Sequence, residues 1–225
     1  MSRYCPICET NHEKFNPFGY NPREDALCPT CGSLERHRLS WLVIKDKLKS
    51  IDLKNQNMLH IAPEKVFMSK FNDLFKENYL TADLYDKNTK LKMDITNIEY
   101  PDESFDYIYC SHVLEHIKDD KKAMRELNRV LKKNGWAILL VPIMIKGLTE
   151  EDFLIISPED RMKHYGHPEH VRNYGRDYID RLIESDWKVK VIYPEDFLSN
   201  EEIELMGITK AAGEIYFCTK ETHIK

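Results

Sequence analysis

From residue 57 onward, short dense runs of apolar residues alternate with longer segments whose apolar positions recur every three or four residues. The runs are too short for buried helices and are rich in β-branched and aromatic residues, so they predict strands. The spaced segments predict amphipathic helices. Strands are expected at 57–62, 79–84, 91–93, 105–110, 136–141, 187–193 and 214–219, and helices at 64–75, 119–131 and 178–184. In 119–131 the stripe is Ala123, Met124, Leu127, Val130 and Leu131, and Gly135 is placed to stop that helix. A further helix is expected from 33 or 34 to 49, with Ser33 as N-cap and Leu34, Trp41, Leu42 and Leu48 on its apolar side. Strands that alternate with helices predict an α/β fold, a mostly parallel seven-stranded sheet with helices on both faces. The segment 145–158 has little periodicity and reads as a substrate-side insertion of the kind that forms lids.

The first thirty residues follow neither period. They carry Cys5-Pro6-Ile7-Cys8 and Cys28-Pro29-Thr30-Cys31, two CxxC knuckles separated by 19 residues. Each knuckle converges two thiolates on one ion, and four complete a tetrahedral zinc site with no open position, hence structural. A redox dithiol pair is the competing reading, but no strand–helix pattern surrounds these cysteines. Phe15, Pro17, Phe18, Gly19 and Tyr20 lie between the knuckles, as the small core of a zinc module or as a lid. The expected domains are therefore a zinc-ribbon-like module at 1–33 and an α/β domain at 34–225.

The chain has 225 residues, enough for one α/β domain and a small appendage. Its net charge of −5 argues against a nucleic-acid partner. No apolar run approaches the length of a membrane span, and the start lacks a signal peptide's apolar core, so a cytoplasmic location is expected. In a reducing compartment cysteines are metal ligands or free thiols, and Cys110 and Cys218 are left over in expected strands.

Three expected strands end in His60-Ile61-Ala62-Pro63-Glu64, Ala82-Asp83-Leu84 and Met93-Asp94-Ile95-Thr96. Asp83 follows Glu64 by 19 residues, a spacing that suits acceptance from ribose hydroxyls. A turn or cap would explain either aspartate alone; their order and spacing together favour a cofactor. Phe105-Asp106-Tyr107-Ile108-Tyr109-Cys110-Ser111-His112-Val113-Leu114-Glu115-His116-Ile117 then reads as strand and active-site loop, and Asn134-Gly135-Trp136 opens the next strand. Over roughly residues 55 to 220 this series resembles the class I S-adenosylmethionine (SAM) methyltransferases, whose fold is Rossmann-like. The resemblance implies SAM as cofactor, Asp83 on its ribose, Asp94 and Ile95 beside its adenine, and Ser111 and His112 near its reacting end. His60, Ala62 and Glu64 then belong to the first cofactor loop. That loop departs from the family's acidic residue followed by GxGxG, since it has no glycine. Alanine is nearly as small, proline fixes the turn, and Glu64 stands in for the missing acid. C-G-S-L-E-R-H-R, L-H-I-A-P-E, H-V-L-E-H-I and H-V-R-x-Y-G together resemble a subgroup of methyltransferases with an N-terminal C-P-x-C zinc module.

The loop after the fourth strand lacks the N-P-P-Y and Pro-Cys signatures of base methylation, and Cys110 reads as a buried strand cysteine. His112 and His116 are candidates for organising the reaction. A second polar cluster, R-M-K-H-Y-G-H-P-E-H-V-R-N-Y-G, offers His170 as first candidate base, with His164, His167, Arg172 and Tyr174 as substrate contacts. Arg36 and His37 are further substrate candidates, weighed against plain solvated surface. The expected activity is methyl transfer from SAM to an O or N atom of a small polar acceptor, sugar-like or phosphate-bearing, with a histidine base. The alternatives are an RNA methyltransferase whose zinc module grips nucleic acid, and a degenerate methyltransferase fold that only binds.

Overall fold

The structure, a computed structural model, describes residues 2–19 and 21–220, so Tyr20 lies outside the described residues. The chain forms two compact units: Met1–Leu53 with Glu64–Leu74 and Val191–Ile215, and Lys54–Pro63 with Phe75–Lys190 and Tyr216–Lys225.

In the first unit, strand β1 (Arg3–Cys5) pairs antiparallel with β2 (Thr10–His12), and β3 (Asn16–Phe18) with β4 (Arg23–Leu27). Helix α1 (Glu35–Leu48) follows, and its Trp41 ring packs on Phe67 and Phe71 of helix α2 (Lys65–Phe75) at centroid distances of 6.4 Å. Ser33 does not cap α1. The cap is Leu34, whose N–H donates to His37 Nδ1 at 3.0 Å. The Ser33 hydroxyl instead lies against Cys5 and Cys31. His37 and Arg38 are both buried. Arg38 is fully buried and donates to the carbonyls of Ala26, Ser33 and Gly207 at 2.8–3.0 Å, with its guanidinium 4.4 Å from the Phe15 ring. Phe15 is thus the core of the cysteine-bearing region, whereas Phe18 is exposed.

In the second unit, strands β5 (Met58–Ile61), β6 (Tyr79–Asp83), β7 (Leu91–Lys92), β8 (Phe105–Ser111), β9 (Leu131–Leu140), β12 (Trp187–Ile192) and β13 (Ile215–Lys220) form one sheet, while β10 (Glu150–Glu151) pairs with β11 (Arg172–Asn173). The sheet order is β12-β13-β9-β8-β5-β6-β7. Pairs β5–β6, β5–β8, β6–β7 and β8–β9 are parallel, and β13 runs antiparallel to β9. All seven residues of β8 are buried, as expected of a central strand covered on both faces. Helices α3 (Asp120–Val130), α4 (Pro158–Tyr165) and α5 (Tyr178–Ile183) complete the unit.

Gly135 does not stop α3. The helix ends at Val130, Leu131 is already extended, and Gly135 lies inside β9. It sits where the β8–β9 register shifts, and a Cβ there would stand 2.4 Å from the Asp106 carbonyl oxygen. Backbone approach across the bulge, not helix termination, requires the glycine. The insertion at 145–158 acquires structure through long-range pairing: β10 joins β11, and Ser157 caps α4 by accepting from the Asp160 N–H. Gly175 permits the crossing, since a Cβ would meet the Gly147 carbonyl oxygen at 2.2 Å.

Candidate active site and metal centre

Chain order along the sheet reverses between β5 and β8, so ligands of such a fold are expected beyond the carboxyl ends of these strands. The register brings three expected cofactor residues to one level there. Ile61 pairs with both Ala82 and Cys110, so Ala62, Asp83 and Ser111 stand side by side one residue on. Ala62 has φ of 45° and its N–H donates to the Ala82 carbonyl at 2.8 Å. His112 has φ of 56° and its N–H donates to the Leu140 carbonyl at 2.9 Å. Two adjacent strand ends thus turn through a left-handed non-glycine residue, strain of a kind that clusters at functional loops. Ala62 takes the conformation that a glycine would supply more cheaply.

Asp83 Oδ1 accepts from the N–H groups of Tyr85 and Asp86 at 2.7 and 2.8 Å, while Oδ2 takes no such bond among the described residues. One oxygen shapes the turn and the other is left without a hydrogen bond among the described residues. Asp94 is exposed and holds Thr96 through its N–H and hydroxyl, both at 2.8 Å; Ile95 beside it is buried. The Ser111 hydroxyl is buried and has no partner among the described residues, a polar atom suited to a bound cofactor.

His60 departs from the expectation. It is fully buried in β5, its Nδ1 lies 2.9 Å from the Tyr79 hydroxyl, and its ring stands edge-on to Tyr109 at 5.3 Å. This is a core histidine with no surface for a cofactor. In the first unit, Glu64 Oε1 lies 2.7 Å from His37 Nε2 and 3.0 Å from Arg36 Nη2. Burial alone would raise the Glu64 carboxyl, but the hydrogen bond from His37 and the Arg36 guanidinium outweigh it and hold it at about 2. Arg36, as an ion pair, and His37, as a hydrogen-bond partner, thus meet on the Glu64 carboxylate. Because the folded value lies below the usual 4.5, the pairing stabilises the protein above that value and is lost as pH falls through about 2. Its worth at neutral pH is on the order of 3 kcal/mol. Glu64→Gln is expected to flatten the fall of the urea midpoint between those two pH values; an unchanged slope would show that the pairing contributes nothing.

After β8 a 3₁₀ turn (Leu114–His116) carries Glu115 and His116, and Val171 N–H donates to the Glu115 carbonyl at 2.9 Å. His116, His167 and His170 come together, with ring centroids 4.6–5.5 Å apart. Burial pushes the His170 imidazole down to about 4, with Glu115 opposing and the three neighbouring histidines assisting. His112 Nδ1 lies 3.4 Å from Glu115 Oε1. His164 is exposed, and its ring lies against Tyr165 rather than in this group.

Arg172 and Tyr174 are not available to a substrate. Arg172 is fully buried; its guanidinium donates to the carbonyls of Leu114, Ile117 and Lys118 and to Glu151 Oε2. Tyr174 is also fully buried and donates to Asp120 Oδ2 at 2.6 Å. These side chains staple the loop that carries Glu115 and His116. Both side chains therefore meet distant parts of their own chain.

In the first unit the four knuckle sulfurs all lie within 4.8 Å of one another, with Cys5–Cys31 at 3.6 Å and Cys8–Cys28 at 3.7 Å. A tetrahedral zinc with ~2.3 Å bonds places its sulfurs about 3.8 Å apart, so the residues fit the ion. The knuckles share a turn: Glu9 (φ 59°) and Gly32 (φ 70°) each follow the second cysteine and donate to the first cysteine's carbonyl at 2.8 and 2.9 Å. Amides of Ile7 and Cys8 point at Cys5 sulfur, and those of Thr30 and Cys31 at Cys28.

Residues 54–139 match the family model described as a methyltransferase domain. The fold is that of a class I methyltransferase. A SAM-dependent methyltransferase from Mesorhizobium loti superposes with a TM-score of 0.50 at 13% identity, over 80% of this chain and 96% of that one. A phosphoethanolamine N-methyltransferase from Haemonchus contortus superposes at 0.50 and 14% identity, over 96% of this chain and 56% of that one. The uncharacterized methyltransferase YcgJ of Bacillus subtilis is 33% identical over 76 residues, 34% of this chain and 28% of that protein. The chain spans less than a third of the length of the curated relatives it matches. No helix among the described residues is long and apolar enough to cross a membrane.

Proposed function

We propose that this protein is a SAM-dependent methyltransferase that acts on an O or N atom of a small polar acceptor, sugar-like or phosphate-bearing, and that carries a structural zinc on Cys5, Cys8, Cys28 and Cys31. The observation that carries the reading is the alignment of Ala62, Asp83 and Ser111 at the carboxyl edge beside the β5–β8 reversal, within the stretch that matches the methyltransferase domain. Asp83 Oδ2 would accept from the ribose hydroxyls, Asp94 and Ile95 would border the adenine, and the Ser111 hydroxyl and His112 would lie near the reacting end. Bound SAM supplies an activated methyl group on a good leaving group. The chain's own residues then need only align the acceptor and remove its proton. His112, His116 and His170, on the loop after β8 and beside it, are the groups assigned to that proton. The left-handed Ala62 supports a working first loop despite its missing glycines, and so favours catalysis over a fold that only binds.

Calorimetric titration with S-adenosylhomocysteine tests the reading. Micromolar binding is expected. A folded protein that binds neither S-adenosylhomocysteine nor SAM would refute it.

A further inference from the structure

We infer that His116, His167 and His170 form a second metal site, for a zinc-class divalent ion with one coordination position left open. One nitrogen from each ring lies within 4.8 Å of the others; an ion with bonds of ~2.0–2.1 Å holds its nitrogens about 3.4 Å apart, so the rings would close on it by a short movement. The rings are held from independent points. His116 ends the 3₁₀ turn stapled by Arg172. His167 follows Gly166, the left-handed cap of α4. His170 precedes Val171, whose N–H is fixed on the Glu115 carbonyl. Neither the His116 nor the His170 ring takes a side-chain hydrogen bond among the described residues. The His167 ring makes one long bond, in which Nδ1 accepts from Glu169 N–H at 3.2 Å.

A second observation points independently to a cation. Glu115, the neighbour of His116, is 1% exposed, and its Oε2 is buried with no partner among the described residues. Its other oxygen has only His112 Nδ1 at 3.4 Å. A desolvated carboxylate with so little compensation is costly, and a divalent ion on the adjacent imidazoles would offset that cost. Three neutral imidazoles suit zinc, cobalt or nickel rather than magnesium or calcium, which prefer oxygen. Three protein ligands leave the fourth position open, unlike the closed four-cysteine centre. On the methyltransferase reading, and resting on it, that open position would receive the acceptor's oxygen or nitrogen and make its proton more acidic. His170 is then a ligand rather than a free base, and His112 is the nearby imidazole left to take the proton.

The test is the metal content of the purified full chain after equilibration with zinc, together with the absorption spectrum after cobalt exchange. Wild type is expected to hold a second ion beyond the cysteine-bound one, and to show weak ligand-field bands beside the intense thiolate charge-transfer band. His116→Ala and His170→Ala should each lose the second ion and the weak bands while keeping the thiolate band, which also reports that the protein is folded. Glu115→Gln should weaken the second ion by about 10–100-fold. A wild-type protein that holds only the cysteine-bound ion, or histidine variants that keep both, would overturn the site. Failure to bind S-adenosylhomocysteine with the second ion present would instead strike the methyltransferase reading and leave the metal site standing.

Discussion

Asp83→Asn is expected to weaken S-adenosylhomocysteine binding by about 10–100-fold without shifting the melting temperature. The carboxamide keeps an oxygen where Oδ1 accepts from Tyr85 and Asp86, so the turn survives. What it loses is the charge on Oδ2, and hydrogen bonds to an ionised acceptor are worth ~1.5–3 kcal/mol each. Every ~1.4 kcal/mol is tenfold in affinity. Asp83→Ala should bind more weakly still, because the turn loosens as well. The pair of variants separates the two jobs of one side chain. Calorimetric affinity that does not change in Asp83→Asn would leave the aspartate as a turn residue and nothing more.

Removing zinc with a strong chelator is expected to unfold the cysteine-bearing region. Apparent binding energies of structural zinc are ~10–16 kcal/mol in small modules, far more than so small a core could replace. Arg38 makes the consequence wider. It is fully buried, and its hydrogen bonds go to carbonyls, with Glu35 and the cysteine cluster the nearest negative charges. Four thiolates on one zinc would carry a net negative charge that compensates the guanidinium. Loss of that charge leaves a buried cation on the first turn of α1, so the helix should fray with the module. Limited proteolysis should then cut within residues 1–53, which the zinc-loaded protein resists. A melting profile and cleavage pattern unaltered by zinc removal would contradict the structural role.

The elements were largely legible because their signals are local. Period and length alone mark β5, β6, β8 and α3 to within about two residues of their observed bounds. The exception at Gly135 is instructive. A glycine after an apolar helical stripe reads as a stop, but here the reason for it lies across the sheet at the Asp106 carbonyl. The short strands of the cysteine-bearing region left no periodic trace, because each of β1, β2 and β3 has only three residues.

The candidate site was legible in part. Order and spacing singled out Asp83, and the register then aligned it with Ala62 and Ser111. His116, His167 and His170 were each singled out, but as separate roles. His60, Arg172 and Tyr174 were read as ligand contacts because a polar residue in an apolar or motif-rich stretch has two explanations in sequence. It meets a ligand, or it meets a distant part of its own chain.

The sequence by itself determined the alternation of strands and helices, the pairing of two C-P-x-C knuckles, and the spacing of the acids that follow successive strands. Each of these is written in residues near one another along the chain. Only the tertiary structure decided which polar side chains remain available. Arg172 is satisfied by carbonyls 54 to 58 residues away, and Glu115 is buried with an oxygen left unpaired. Desolvation depends on what packs around a group from every direction, and that is a property of the folded whole.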